Sequence, residues 1–158
     1  MEKKILIPID FRIESLNTLK YALEERRNKK SNIILMYSEY ISDSITELLF
    51  YDPAKKIKEL ASSDFNDAIA IINNTHESSL HTIKIELFNG LNKNAFLNFY
   101  EAHGIDIIYL PRDYRLKPLK NGFDPIPIIK KSKVAYREVT WSNDHSTSSK
   151  NELNQLFK

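Results

Sequence analysis

Ile5, Leu6, Ile7 and Ile9 form a nearly continuous apolar run behind two lysines and in front of Asp10. A strand with one wet face alternates apolar and polar residues, so an unbroken run predicts a strand buried on both faces of a parallel sheet. Ile33 to Tyr37 repeats the pattern between Ser31-Asn32 and Ser38-Glu39, and Ile105, Ile107, Ile108, Tyr109 and Leu110 form the next buried strand before Pro111. Ile83, Ile85 and Leu87 instead alternate with Lys84 and Glu86, which predicts a strand near the sheet edge. Val134, Ala135, Tyr136 and Val139 supply a final strand.

Between these runs the apolar period changes from two to about 3.6. Ser15 is a candidate N-cap for a helix carrying Leu16, Leu19, Ala22 and Leu23, which ends in the polar stretch Glu24 to Lys30. Residues 41–51 fit either a short helix or a loop, with Ile45, Leu48 and Leu49 packing down. Asp52-Pro53 predicts the start of the longest helix, running through Ile57, Leu60, Ala61, Phe65, Ala68, Ile69 and Ile72 until Asn73 to Ser79 break it. Ala95, Phe96, Phe99 and Ala102 predict another, stopped by Gly104. Asp124-Pro125 starts a short helix over Ile126 to Lys131, which Pro127 limits to about its first turn.

Strands alternating with helices predict an α/β, Rossmann-like fold: an open five-stranded parallel sheet with helices on both faces and right-handed crossovers. Ligands in such folds sit beyond the carboxyl ends of the strands at the topological switch point. That singles out Ile9-Asp10-Phe11, Tyr37-Ser38, Phe88-Asn89-Gly90 and Leu110-Pro111-Arg112. The 158 residues fit one domain over 1–140, followed by a polar, flexible tail over 141–158 in which Leu153, Leu156 and Phe157 have no assigned place.

Other chemistries lack their residues. The chain has no Cys, which removes disulfides, thiolate metal sites and a thiol nucleophile and is compatible with a reducing cytoplasm. The apolar run before Pro8 and Asp10 is too short for a signal-peptide core, and no run approaches the ~20 residues that span a bilayer, so the expected location is cytoplasmic with no membrane contact. A net charge of +2 does not argue for nucleic acid, and no aromatic-interleaved module accompanies the basic stretch Arg112 to Arg137. His76, His81, His103 and His145 lack metal-ligand spacing and read as exposed helix-end or loop residues; no metal is expected. No nucleophile elbow or Walker lysine is present, so catalysis has no support.

The opening Lys4-Ile-Leu-Ile-Pro-Ile-Asp10-Phe11, with Ser15, Leu16, Leu19, Tyr21, Ala22 and Leu23 behind it, resembles the first strand and helix of the universal stress protein family. Ile33 to Tyr37 is similar to the family's second strand, with Tyr37 in the place of a common His, and Gly104-Ile-Asp106-Ile-Ile is similar to its approach to the fourth. The resemblance spans residues 3–139 and is weakest through 38–80. It implies an adenine nucleotide alpha hydrolase-like sheet of order 3-2-1-4-5. It also implies a homodimer in which the last strand pairs with its symmetry mate through Val134, Tyr136 and Val139.

The family's G-x2-G-x9-G-[S/T] motif holds ATP phosphates through exposed N–H groups at a loop and helix N-terminus. Aligned on Gly122, the four positions hold Tyr109, Arg112, Gly122 and Phe123. With only 3 Gly in the chain, Gly90 assigned to a turn and Gly104 to a helix stop, Gly122 alone could serve such a loop. Asp10 matches the family's strand-end aspartate on the adenine side. The resemblance therefore implies a vestigial nucleotide pocket of Asp10, Tyr37, Arg112, Arg115 and Gly122, in a non-catalytic regulatory or stress-response protein with no cofactor; ATP and AMP are disfavoured. The alternative is a nucleotide- or anion-binding protein in which Arg112 and Arg115 clamp the anion in a bidentate way. A third reading is an interaction module that uses the tail or the basic face, its protein partner unknown.

Overall fold

A computed structural model describes residues 2–41, 44–119 and 121–141. Five strands, β1 (Lys3–Pro8), β2 (Ser31–Ser38), β3 (Leu80–Phe88), β4 (Ile107–Pro111) and β5 (Tyr136–Val139), form one sheet in the order β3-β2-β1-β4-β5. Every pairing is parallel, with Ile5 opposite Ile33 on one side and Ile107 on the other. The expected order and edge positions are all present.

The unbroken apolar runs follow from the pleat. Ile5, Ile7, Ile33 and Leu35 face a core shared with α1 (Asn17–Glu25) and α4 (Ser63–Thr75), through Leu19, Leu23, Phe65 and Ile72. Leu6, Ile34, Met36 and Ile108 face the opposite core, closed by Phe96 of α5 (Lys93–Ala102) and Ile129 of α6 (Ile126–Lys131). Successive side chains of one strand enter different cores, so no position in the run can be polar.

Three local expectations are corrected. Ser15 is not an N-cap: it lies inside a 3-10 turn (Ile13–Leu16), its hydroxyl donates to the Arg12 carbonyl, and α1 starts without a side-chain cap. The long helix is two, α3 (Pro53–Leu60) and α4. Ala61 is extended, and Ser62 Oγ accepts the Phe65 N–H, a fresh N-cap that the continuous apolar stripe conceals. Residues 45–49 do form a helix, α2 (Ile45–Leu49), but Ile45, Leu48, Leu49 and Phe50 are exposed rather than packed down. Asp52 caps α3 as expected, accepting the Lys55 N–H, and Gly104 ends α5 at a φ of +63°. The expected tail lies outside the described residues except Trp141, whose ring packs 5.5 Å from Tyr114 and whose Nε1 donates to Thr18.

Candidate functional site

The sheet order reverses between β1 and β4, and Asp10 stands at that switch point just past β1. Asp10 is fully buried, which for a carboxylate requires donors on its oxygens. Oδ1 accepts the Arg12 N–H at 2.9 Å; Oδ2 accepts the Tyr114 hydroxyl at 2.6 Å and the Lys117 N–H at 2.9 Å. The Tyr114 hydroxyl is held protonated, its pKa raised by burial and by that bond. Phe11, left-handed at φ 64°, turns the chain off the strand while its ring packs on Tyr37 and Phe65 at 4.8 and 5.2 Å.

Tyr114 and Lys117 belong to a strap of residues 112–119 and 121–124 that leaves β4 and lies across the strand ends. The Arg112 N–H donates to the Val139 carbonyl and the Leu119 N–H to Tyr37 Oη. Further along, the Tyr40 N–H donates to Asn121 and the Phe123 N–H to Ser38. Tyr37 is buried, which raises its pKa even though the Leu119 bond opposes the shift. Gly122 packs so closely that a Cβ there would collide with Tyr37 Oη and meet the Leu119 carbonyl oxygen at 3.0 Å. The glycine gives close approach between two parts of the chain.

Asp10 and Tyr37 are therefore brought together under the strap, and Gly122 within the strap packs against Tyr37. Arg112 and Arg115 are not part of that cluster: both are exposed, and neither side chain has a hydrogen bond or ion pair among the described residues. Tyr109, in the first glycine position, is buried and donates to Glu25 Oε1 at 2.6 Å, while Arg137 pairs with Glu25 Oε2 at 2.5 Å. Burial and the Glu25 bond push the Tyr109 hydroxyl up to about 12. Phe123, in the hydroxyl position, packs its ring 4.8 Å from Tyr40. At this switch point the oxygens of Asp10 and the hydroxyl of Tyr37 already bond donors of the same chain.

Of the remaining basic residues, Lys130 pairs with Glu138 at 3.5 Å. In β5, Tyr136 is partly exposed, whereas Val139 is buried in the chain's own core and Val134 packs against the second core. His76 corrects the expectation of exposed histidines: it caps the end of α4, buried with Nδ1 3.7 Å from Glu24, and burial lowers its pKa. His81 lies within β3, with Nδ1 2.6 Å from Glu2. No group of three or more candidate metal ligands occurs among the described residues, and none of their helices is long and apolar enough to cross a membrane.

Sequence reasoning missed Tyr114 and Glu39. Tyr114 sits in a polar loop without periodicity; its one signal is an aromatic among arginines. Glu39 follows directly on a buried strand and is itself 2% exposed, with Oε2 lacking any partner among the described residues. Oε1 is 3.4 Å from Tyr51 Oη, and burial raises the carboxyl's pKa against the pull of Lys56.

No protein family model matches the chain, and no curated protein matches it in sequence. Solved structures match its fold. The hypothetical protein MJ0577 is 22% identical, with a TM-score of 0.53 over 90% of this chain and 98% of that one. The universal stress protein UspA from Lactobacillus plantarum is 14% identical, with a TM-score of 0.53 over 89% and 97%. A universal stress protein in complex with cAMP is 16% identical, with a TM-score of 0.50 over 89% and 98%. The fold is that of the universal stress proteins.

Proposed function

We propose that this chain is a non-catalytic regulatory protein of the universal stress protein type, in which the strap replaces the nucleotide of the fold's usual crevice. The observation that carries this reading is the buried Asp10 carboxylate, which accepts from Arg12, Tyr114 and Lys117 of the same chain. A strand-end aspartate kept for a ligand needs at least one oxygen facing open space. Here the strap's backbone and phenol take the ligand's place, which makes the pocket vestigial and the cofactor none. The expected setting is cytoplasmic, as a homodimer along β5, whose position at the sheet edge leaves one side of its backbone without a strand partner among the described residues. In that dimer Tyr136 supplies the contact, since Val139 is committed to the core.

Thermal unfolding with ATP, ADP and AMP tests the reading. It predicts no shift at micromolar nucleotide, and a large shift overturns it. A second reading rests on the exposed Arg112 and Arg115: an anion or nucleotide, such as the cAMP that one neighbour binds, held on the outside of the strap. It requires Arg112→Ala to weaken a phosphate ligand; unchanged affinity for every phosphate ligand removes it.

A further inference from the structure

The helix α2 leaves most of its apolar surface in water. Ile45, Leu48 and Leu49 recur at three- and four-residue steps, so they share one face, and together with Phe50 they are between 53% and 80% exposed. A helix of five residues without a side-chain cap has little stability of its own. Four large apolar side chains exposed together on such an element mark a surface built to be covered. A cavity of about 610 Å³ opens beside it, where Phe50 and Tyr40 line the wall with Lys55, Lys56, Asp52 and Glu59. Two lysines against two carboxylates leave no net charge to select an ionic ligand, so the apolar surface is what calls for an occupant.

The chain carries a matching segment. Leu153, Leu156 and Phe157 have the same three- and four-residue spacing as Ile45, Leu48 and Leu49, and residues 142–152 before them hold no apolar side chain. These residues lie outside the described ones, but the point from which they start is fixed. β5 runs parallel to β2 and leaves the sheet at the same carboxyl edge, three strand spacings or roughly 14 Å away. Trp141 then packs on Tyr114 of the strap, and the strap reaches Tyr40, whose N–H donates to the Asn121 carbonyl. Ile45 follows the end of β2 at Ser38 by seven residues, which keeps it within about 25 Å of that end. The twelve steps from Trp141 to Leu153 extend to about 40 Å, which covers both distances.

We propose that residues 151–158 fold back onto the α2 face of their own chain and set Leu153, Leu156 and Phe157 against Ile45, Leu48, Leu49 and Phe50. Tethering favours this occupant over a second copy. A segment on a short linker meets the face at an effective concentration in the millimolar range, above that of a second molecule in dilute solution. The contact gives α2 the apolar burial that its own length does not supply. Seated there, the segment closes the face to other partners. The inference stands apart from the nucleotide reading, since the contact uses no residue of the Asp10 cluster.

Because the chain has no Cys, Thr46→Cys places a single nitroxide spin label on α2 of the full chain, and ¹⁵N amide spectra read what lies near it. Strong broadening is expected at Leu153, Leu156 and Phe157, with weaker broadening at Ser146 to Ser149 and loss of the effect in Leu156→Asp. Mixing spin-labelled protein of natural isotope content with ¹⁵N protein that carries no label separates the copies. No broadening is expected in the mixture; broadening of the same amides there assigns the face to a second copy and overturns the proposal. Hydrogen exchange gives a second readout. The Leu48 and Phe50 N–H groups, which donate to the Ser44 and Thr46 carbonyls, are expected to exchange at least about tenfold faster in Leu156→Asp than in the wild type. Broadening that is absent at Leu153, Leu156 and Phe157 or uniform from Ser146 onward overturns the proposal, as do equal exchange rates in the two proteins.

Discussion

The Tyr114 hydroxyl, 104 residues along the chain from Asp10, donates to its Oδ2 at 2.6 Å and closes the switch point of the sheet from within. Charge-assisted bonds of this length are among the stronger ones a protein makes. Tyr114→Phe is expected to lower unfolding free energy by about 2 kcal/mol, and Asp10→Ala by about 2–4 kcal/mol because three donors lose their acceptor. Urea denaturation of both variants checks the ranking.

Gly122→Ala forces a methyl group against Tyr37 Oη and the Leu119 carbonyl. The expected loss is about 1–3 kcal/mol, the usual cost of overpacking. Tyr37→Phe removes the clashing oxygen together with the acceptor for Leu119, so the double variant loses less than the sum of the two. A double-mutant cycle measures that coupling, and strict additivity would show the strap is not seated on Tyr37.

Much of this was legible in the sequence, and the exceptions share a cause. Ile5 to Ile9 and Ile33 to Tyr37 announce their strands because both faces are buried, and that condition writes itself into consecutive residues. Asp10, Tyr37 and Gly122 were legible as a cluster because each sits at a strand end or in a glycine position. Their occupant was not, since the bonds from Lys117 and Leu119 are backbone N–H groups that any residue carries. The division of α3 from α4 was hidden because Leu60, Ala61 and Phe65 keep helical spacing across a break made by Ser62.

Ser62→Ala is accordingly expected to cost about 1 kcal/mol through loss of the cap on Phe65. If the two segments were one helix, alanine there would stabilise instead. Thermal unfolding distinguishes the signs.

Tyr109 links stability to alkaline pH. Its folded pKa of about 12 exceeds the ordinary value of 10, so the unfolded chain loses this proton first as pH rises. Its contribution is full below pH 10 and is lost between pH 10 and 12, amounting to about 2–3 kcal/mol. Denaturation at stepped alkaline pH should show a shallower decline for Tyr109→Phe than for the wild type.

Glu39 carries the same sign through a different group. Its folded carboxyl is raised by burial, so it favours folding below its ordinary value of 4.5 and opposes folding as pH climbs through the raised one. Glu39→Gln should therefore be at least as stable as the wild type at pH 7, with the advantage shrinking as pH falls toward 4.5. Chemical denaturation at the two pH values reads the difference.

Under the proposed function, the strap stands where a nucleotide would otherwise sit. Titrating ATP, AMP and cAMP into ¹⁵N-labelled protein while following the Lys117 and Leu119 amides tests it most directly. The account predicts no saturable change at either amide up to about 1 mM nucleotide. Saturable binding at micromolar nucleotide that moves both amides, as the strap leaves Asp10 and Tyr37, would contradict it.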